Sequence, residues 1–335
     1  MTDEERWGGE LWAAADLLTP MAIRVAATLR LGDRIAAGTR TADALAAETG
    51  VDQDALGRLL AHLEVAGVLA REASGAYGLT GTGERLRDDH PDGIRRWIDL
   101  EGAIGRADLC FVELLHTVRT GEPAYPRRFG RDYWDDLSAD AELGASFDAL
   151  MGARLVEDAP AVAAAYPWGS LGHVVDVGGG DGSLLIAILR AHEDLRGTVV
   201  DLAGPAARAE QAVASAGLGH RADVRAGSFF DALPAGAGGY VLSGVIHDWD
   251  DDHAARILRR CAEAASGTGK VFAMEHIRDA HTASNTEGDL RMLCYVRGKE
   301  RTFEELGALA GAAGLEVHSV TRAGSRSIIE LRPSH

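Results

Sequence analysis

The spacing of hydrophobic and polar positions changes character part-way along the chain. Up to about residue 165 apolar residues recur at helical intervals; from His173 onward, short β-branched runs alternate with helical stretches. Leu11–Arg30 is rich in Ala and Leu, and Thr19-Pro20 within it predicts a break between two helices. Thr41 is placed to cap a short helix (ADALAAET) that Gly50 ends. Asp52 can cap a second, with Leu56, Leu59, Leu60 and Leu63 at i, i+3, i+4 and i+7 and Gly67 at its close. Val68–Arg71 and Ala76–Leu79 flank Ser74-Gly75, a hairpin signal. Helix, turn, helix and hairpin outline a winged helix. Residues 101–165 continue helical, with breaks at Gly121–Pro126 and Gly130 and an aromatic-rich stretch Tyr125–Trp134. The apolar face begun by Phe147 and Met151 reads, on its own, as helix core before pocket wall.

The second half alternates β and α patterns, as an open, mostly parallel sheet requires. The strand in His173–Ser183 (HVVDVGGGDGS) breaks into glycines and passes directly into the helical LLIAILRAH. Glycines allow positive φ and close approach of a ligand, and a helix start offers free N–H groups. A second strand, GTVVDL, places Asp201 where a carboxylate can grip a ribose hydroxyl pair. Strand, turn, helix and distal acid together indicate a nucleotide-type cofactor. Further strands are expected at Ala222–Ala226, Tyr240–Ile246 and Lys270–Ile277. A helix capped by Asp250/Asp251 follows the second of these, and Thr302-Phe-Glu-Glu305 forms a capping box. Glu316–Thr321 and Ser327–Leu331 can close the sheet as a hairpin pair. The division expected is residues 1–100, 101–165 and 166–335: a winged-helix-like domain, a helical linker and pocket region, and a cofactor-binding domain.

Composition narrows the function classes. With 335 residues, 46% hydrophobic and 25% charged, the chain is an ordinary globular one with room for two domains. Its net charge of −17 disfavours nucleic acid and anionic membranes. The candidate recognition helix Asp52–Ala66 agrees, carrying Arg58 against Asp52, Asp54 and Glu64. MTDEERWGG has no secretory pattern and no run of 18 apolar residues appears, so a cytoplasmic protein is expected. Cys110, Cys261 and Cys294 lack disulfide or zinc spacing, and no metal site is expected.

Ligands in such sheets lie at the carboxyl ends of the strands. Those ends hold Gly178–Gly182, Asp201 with Leu202, Gly227-Ser228-Phe229, His247-Asp248-Trp249 and Glu275-His276. Gly178 and Gly180 fit a dinucleotide turn, but Ser183 stands at its third small position and Asp176 precedes it in the strand. His247 is the residue type that accepts a proton near neutral pH. Glu275 ends the neighbouring strand, and Glu300 lies in G-K-E-R-T.

On D-x-G-x-G, H-D-W, the strand-end Glu and G-K-E-R-T, the chain resembles the class I S-adenosylmethionine-dependent small-molecule O-methyltransferases, both plant-type and bacterial, the latter tailoring aromatic polyketides such as anthracyclines. The resemblance implies a Rossmann-like methyltransferase fold, with a seven-stranded, mostly parallel sheet, an antiparallel end strand and a helical N-terminal dimerisation domain. It implies S-adenosylmethionine as cofactor, held by Asp176, Gly178, Gly180, Asp201, Leu202, Gly227, Ser228, Phe229, Ser243 and Trp249. Phe229 would stack on adenine. His247 becomes the general base, with Glu275 and Glu300 fixing its tautomer, and Phe147, Met151, Asp248 and Tyr295 line an aromatic acceptor's pocket. The acids Asp248, Asp250, Asp251 and Asp252 otherwise read as a cap and a solvated helix start. A homodimer is expected. Two departures from the plant pattern, Ser243 for Lys and Ser228 for Asp, touch the cofactor contacts. The alternative is the same fold retooled as a hydroxylase, decarboxylase or C-methyltransferase.

Overall fold

The computed structural model describes residues 9–277 and 286–334, and the chain divides into two compact units after Asp108. In the first, helices Glu10–Ala15 and Leu18–Thr28 are separated at Asp16-Leu17, three residues before the expected break at Thr19-Pro20. The Asp16 carboxylate accepts from the Leu18 and Thr19 N–H groups and starts the second helix. Pro20 then falls in the first turn, where its missing N–H costs no bond. Thr41 Oγ1 and the Asp52 carboxylate cap helices Ala42–Thr49 and Gln53–Val65 as anticipated. Leu56, Leu60 and Leu63 are buried with Tyr77 and Leu86 in this unit's core, while Leu59 is half-buried. Strands β1 (Leu69–Arg71) and β2 (Tyr77–Leu79) form the antiparallel wing. Arg58, the base on the candidate recognition helix, is paired with Asp54 at 2.7 Å.

The second unit holds a seven-stranded sheet: β3 (His173–Val177), β4 (Arg196–Asp201), β5 (Ala222–Ala226), β6 (Gly239–Ser243), β7 (Lys270–Glu275), β8 (Leu315–Ala323) and β9 (Arg326–Pro333). Their spatial order is β5-β4-β3-β6-β7-β9-β8. The first five are parallel; β9 runs antiparallel between β7 and β8. Alternation within the strands feeds two cores. Val175 and Leu242 pack with Ile257 and Leu258 on one face, and Val174 and Phe272 with Leu185 and Leu189 on the other. Each such side chain contributes roughly 1.5–3 kcal/mol of burial. β6 stops at Ser243 rather than Ile246, because Gly244 turns left-handed (φ 63°) and Ile246–Asp248 winds into a single 3₁₀ turn. β7 likewise ends at Glu275, two residues before the expected limit. Both early endings leave chemistry-bearing residues free of the ladder.

The long helix Ala141–Ala165 lies over the turn that follows β3. A Cβ on Gly152 would stand 2.6 Å from Asp181 Oδ2, so a side chain there would hold the helix off the turn. No helix among the described residues is long and apolar enough to cross a membrane.

The capping box at Thr302 is complete: its hydroxyl accepts from the Glu305 N–H, and Glu305 accepts from the Thr302 N–H. Thr302→Ala is expected to cost about 1 kcal/mol, read as a fall in Tm by scanning calorimetry with the far-UV spectrum unchanged.

Candidate active site

The turn after β3 is held by the strand beside it. The Asp201 carboxylate accepts from the Gly180 N–H at 2.8 Å and the Leu202 N–H at 2.7 Å, and the Asp201 carbonyl accepts from the Gly227 N–H. Gly178 and Gly180 both adopt left-handed φ (71° and 59°). A Cβ on Gly178 would lie 3.4 Å from Phe229 Cε1, so the Phe229 ring rests on the turn. Phe229 meets the Trp249 ring at 5.8 Å, edge to face. Ser228 turns its hydroxyl back to the Phe230 N–H, and Leu202 is largely exposed at the start of the next helix.

Three carboxylates surround this turn. Asp176 is 2% exposed, and among the described residues no hydrogen bond of ordinary geometry reaches either of its oxygens. Burial, followed by the charges of Asp201 and Asp181, pushes it up to about 7. Burial raises Asp201 as well. Negative charge packed around a glycine turn opposes a pyrophosphate and favours a ligand bearing positive charge beside a ribose and an adenine-sized ring.

His247 sits in the 3₁₀ turn after β6, ringed by acids. Its Nδ1 lies 3.1 Å from Glu300 Oε1 and 3.8 Å from Glu275 Oε2, and its Nε2 is 3.4 Å from Asp248 Oδ1. Burial disfavours the imidazolium, but Asp248, Glu275 and Glu300 outweigh it and raise the pKa to about 10. Burial and the other carboxylates raise Asp248 to about 7 even though His247 opposes the shift. Asp248 is therefore part of the imidazole's surroundings and not of the solvated helix start; Asp250 is the cap, accepting from the His253 N–H. Glu275 and Glu300 do different work. Glu300 bonds the imidazole directly and, despite burial, is held below its usual range by that bond. Glu275 accepts from the Ile246 N–H at 2.9 Å and so secures the turn that carries His247.

What clamps this turn was not singled out from sequence. Arg301, 5% exposed, donates to the carbonyls of Ile246 and Trp249, both at 2.8 Å, bracketing His247 and Asp248, and pairs with Asp251. The Lys299 N–H donates to the His247 carbonyl at 2.8 Å. A Cβ on Gly298 would fall 2.1 Å from that carbonyl oxygen, so glycine is required there. The signal for this clamp in the sequence is the G-K-E-R-T spelling, through its Gly, Lys and Arg as well as its Glu.

Of the expected pocket residues, Phe147 and Tyr295 both pack on Tyr133, at centroid distances of 6.1 and 5.5 Å. Tyr295 is buried in that cluster, while Phe147 and Met151 are half-buried on the long helix. Beside Phe147, Asp148 is paired with Arg208, and burial raises it to about 6. Ser243 accepts from Arg326 Nη1 at 3.3 Å.

Comparison with known proteins identifies the family. An O-methyltransferase domain model matches residues 111–316 and an O-methyltransferase dimerisation domain model matches residues 12–88. The chain belongs to the O-methyltransferase family. It is 56% identical, over 96% of both chains, to 2,7-dihydroxy-5-methyl-1-naphthoate 7-O-methyltransferase of Streptomyces carzinostaticus. It is 46% identical, over 93% of this chain and 85% of the relative, to aclacinomycin 10-hydroxylase of Streptomyces purpurascens. A solved O-methyltransferase from neocarzinostatin biosynthesis, in complex with S-adenosylmethionine and 2-hydroxy-5-methyl naphthoic acid, superposes with a TM-score of 0.93 at 55% identity, covering 96% of this chain and 98% of that one.

Gly298→Ala should displace the His247 turn while leaving the sheet intact. We expect methyl transfer to fall on the order of 10²-fold, as misplacement of a catalytic group by about 1 Å does, with far-UV circular dichroism unchanged.

Proposed function

We propose that this chain transfers a methyl group from S-adenosylmethionine to a phenolic or enolic hydroxyl of an aromatic, polyketide-like acceptor, with His247 as the general base. The observation that carries the reading is the His247–Glu300 hydrogen bond at Nδ1, which leaves the other ring nitrogen, Nε2, with Asp248 Oδ1 3.4 Å away, as the one to take the acceptor's proton. The surrounding carboxylates bring the imidazole to about 10, close to the ~10 of a phenol, so a proton moves between the two with little free-energy cost. When bound, S-adenosylmethionine supplies an electrophilic methyl on a sulfonium centre.

The chain's own residues hold and orient. Asp201 keeps lone pairs for ribose hydroxyls while its N–H contacts set the turn. Gly178 and Gly180 let backbone approach the ligand, and Phe229 and Trp249 offer ring faces and edges to adenine. Asp176, an unpaired buried acid, suits a cationic amino-acid end. His247 takes the phenolic proton, Glu300 fixes its tautomer, and Glu275, through the Ile246 N–H, fixes its position. Phe147 and Met151, within the 101–165 region, form an apolar wall, with Asp248 and Tyr295 nearby. An apolar pocket favours a reaction in which opposite charges cancel, and orientation contributes on the order of 7–11 kcal/mol. The dimerisation domain makes the protein a homodimer. We place it in the cytoplasm, where buried Cys110, Cys261 and Cys294, which form no disulfide among the described residues, suit a reducing environment.

The first test is His247→Ala with a hydroxynaphthoic acid as acceptor. Turnover should fall by roughly 10²–10⁴-fold, while calorimetry finds S-adenosylhomocysteine bound as tightly as before. Retained turnover, or a product that mass spectrometry shows to be oxygenated rather than methylated, would reject the reading.

The pH profile supplies a second test. The base is neutral imidazole, and its raised pKa keeps it protonated near neutrality in the free enzyme. kcat/KM should therefore climb by about tenfold per pH unit toward 10. Glu300→Gln removes one charge that holds the proton while Asp248 and Glu275 remain, so the climb should level off at lower pH and at a lower plateau. An unshifted profile in this variant would remove Glu300 from the mechanism.

A further inference from the structure

The site contains a buried cation that the reading above does not use. Arg326 opens β9 beside the carboxyl end of β7, where Glu275 is in register with Ser327. Its side chain is 9% exposed. Nε reaches Asp158 Oδ2 at 3.3 Å, Nη1 reaches the Ser243 hydroxyl at 3.3 Å, and Nη2 makes no hydrogen bond with any described residue. Asp158 is a divided counter-charge, accepting also from the Ser325 N–H at 3.1 Å and the Ser325 hydroxyl at 2.7 Å. Both Arg326 contacts are long against the ~2.7–2.9 Å of a charge-assisted bond. Nη2 is not among the fully buried unpartnered atoms, so this guanidinium, only partly neutralised by Asp158, keeps a donor open to an anion.

Gly244 locates it relative to the base. A Cβ on this residue would stand 3.4 Å from Arg326 Nη1 and 3.8 Å from His247 Nε2, so cation and base flank one side of the turn after β6. His276, next to Glu275, has a buried Nε2 with no partner among the described residues, and burial together with Arg326 and Arg154 keeps its pKa below the ordinary value. Desolvation and the nearby Arg326 also lower Arg154, on the long helix. Positive charge and a neutral imidazole thus meet beside the base.

We propose that Arg326 is the anion subsite of the acceptor, binding a carboxylate carried on the same edge of the aromatic ring system as the hydroxyl presented to His247. The planar fork of Arg326 matches a carboxylate, and its partial neutralisation by Asp158 suits a monoanion over a dianionic phosphate. The inference rests on the methyltransferase reading and narrows the acceptor class to aromatic hydroxy acids.

The test compares a hydroxynaphthoic acid with the naphthol that lacks its carboxyl group, in the intact protein, Arg326→Lys and Arg326→Gln. In Arg326→Gln the KM for the acid should rise about 10- to 100-fold, the worth of a hydrogen bond to a charged group. That loss should exceed any loss for the naphthol, and Arg326→Lys should recover part of it. Calorimetry of the acid on S-adenosylhomocysteine-loaded protein reads the subsite without turnover. Binding that Arg326→Gln weakens supports the subsite even where no product forms, in which case the methyl-transfer reading fails and the subsite stands. Equal losses for acid and naphthol, a fall in S-adenosylhomocysteine affinity with the acid-to-naphthol ratio unchanged, or no binding of the acid by the intact protein would each overturn it.

Discussion

The site depends on one constraint: the turn Ile246–Trp249 must leave the sheet at a single angle, because that turn carries His247. Four contacts impose that angle. Glu275 holds the Ile246 N–H, Arg301 holds the carbonyls on either side of the imidazole, Lys299 holds the carbonyl of His247 itself, and Gly298 permits the close approach. The Glu300 bond to Nδ1 is then made by a side chain whose backbone neighbours are already tied to the turn it serves. Base and orienting acid are thereby positioned as one rigid piece, the arrangement that catalytic precision requires.

Charge is arranged with equal economy around the cofactor turn and the base. Asp176, Asp181 and Asp201 make the first a place for positive charge; Asp248, Glu275 and Glu300 make the second a strong proton acceptor. Arg326 and Arg154 stand on the remaining side. Separated zones of opposite sign give a small aromatic acid one orientation and penalise the reversed one, which is how polar groups in a mostly apolar pocket confer specificity.

Much of this was legible in the chain because it is local. The β3 strand and its glycine turn, the H-D-W turn, the Asp52 and Thr302 caps and the hairpin wing all follow from residues a few positions apart. The Pro20 break was misplaced because Asp16, three residues further back, offered the better start. The different duties of Glu275 and Glu300 were not legible, since both are acids near the same histidine and only the folded path shows which meets the ring. Arg301 and Arg326 escaped notice for the same reason: their partners lie 50 to 168 residues away in sequence. Periodicity reports which face is buried and cannot report what a buried cation is aimed at.

The position of β9 carries a consequence for how the molecule comes into being. This strand follows β8 in the chain but lies between β7 and β8 in space, so the inner edge of β7 stays unpaired until β9 has been synthesised. Its first residue is Arg326, placed beside Glu275 as the pairing completes. Closure of the sheet and completion of the acceptor site are therefore a single late, non-local event, of the kind that sets the pace of folding. A nascent chain emerging from the ribosome can assemble its glycine turn early, yet it gains a finished site only when β9 has paired along β7.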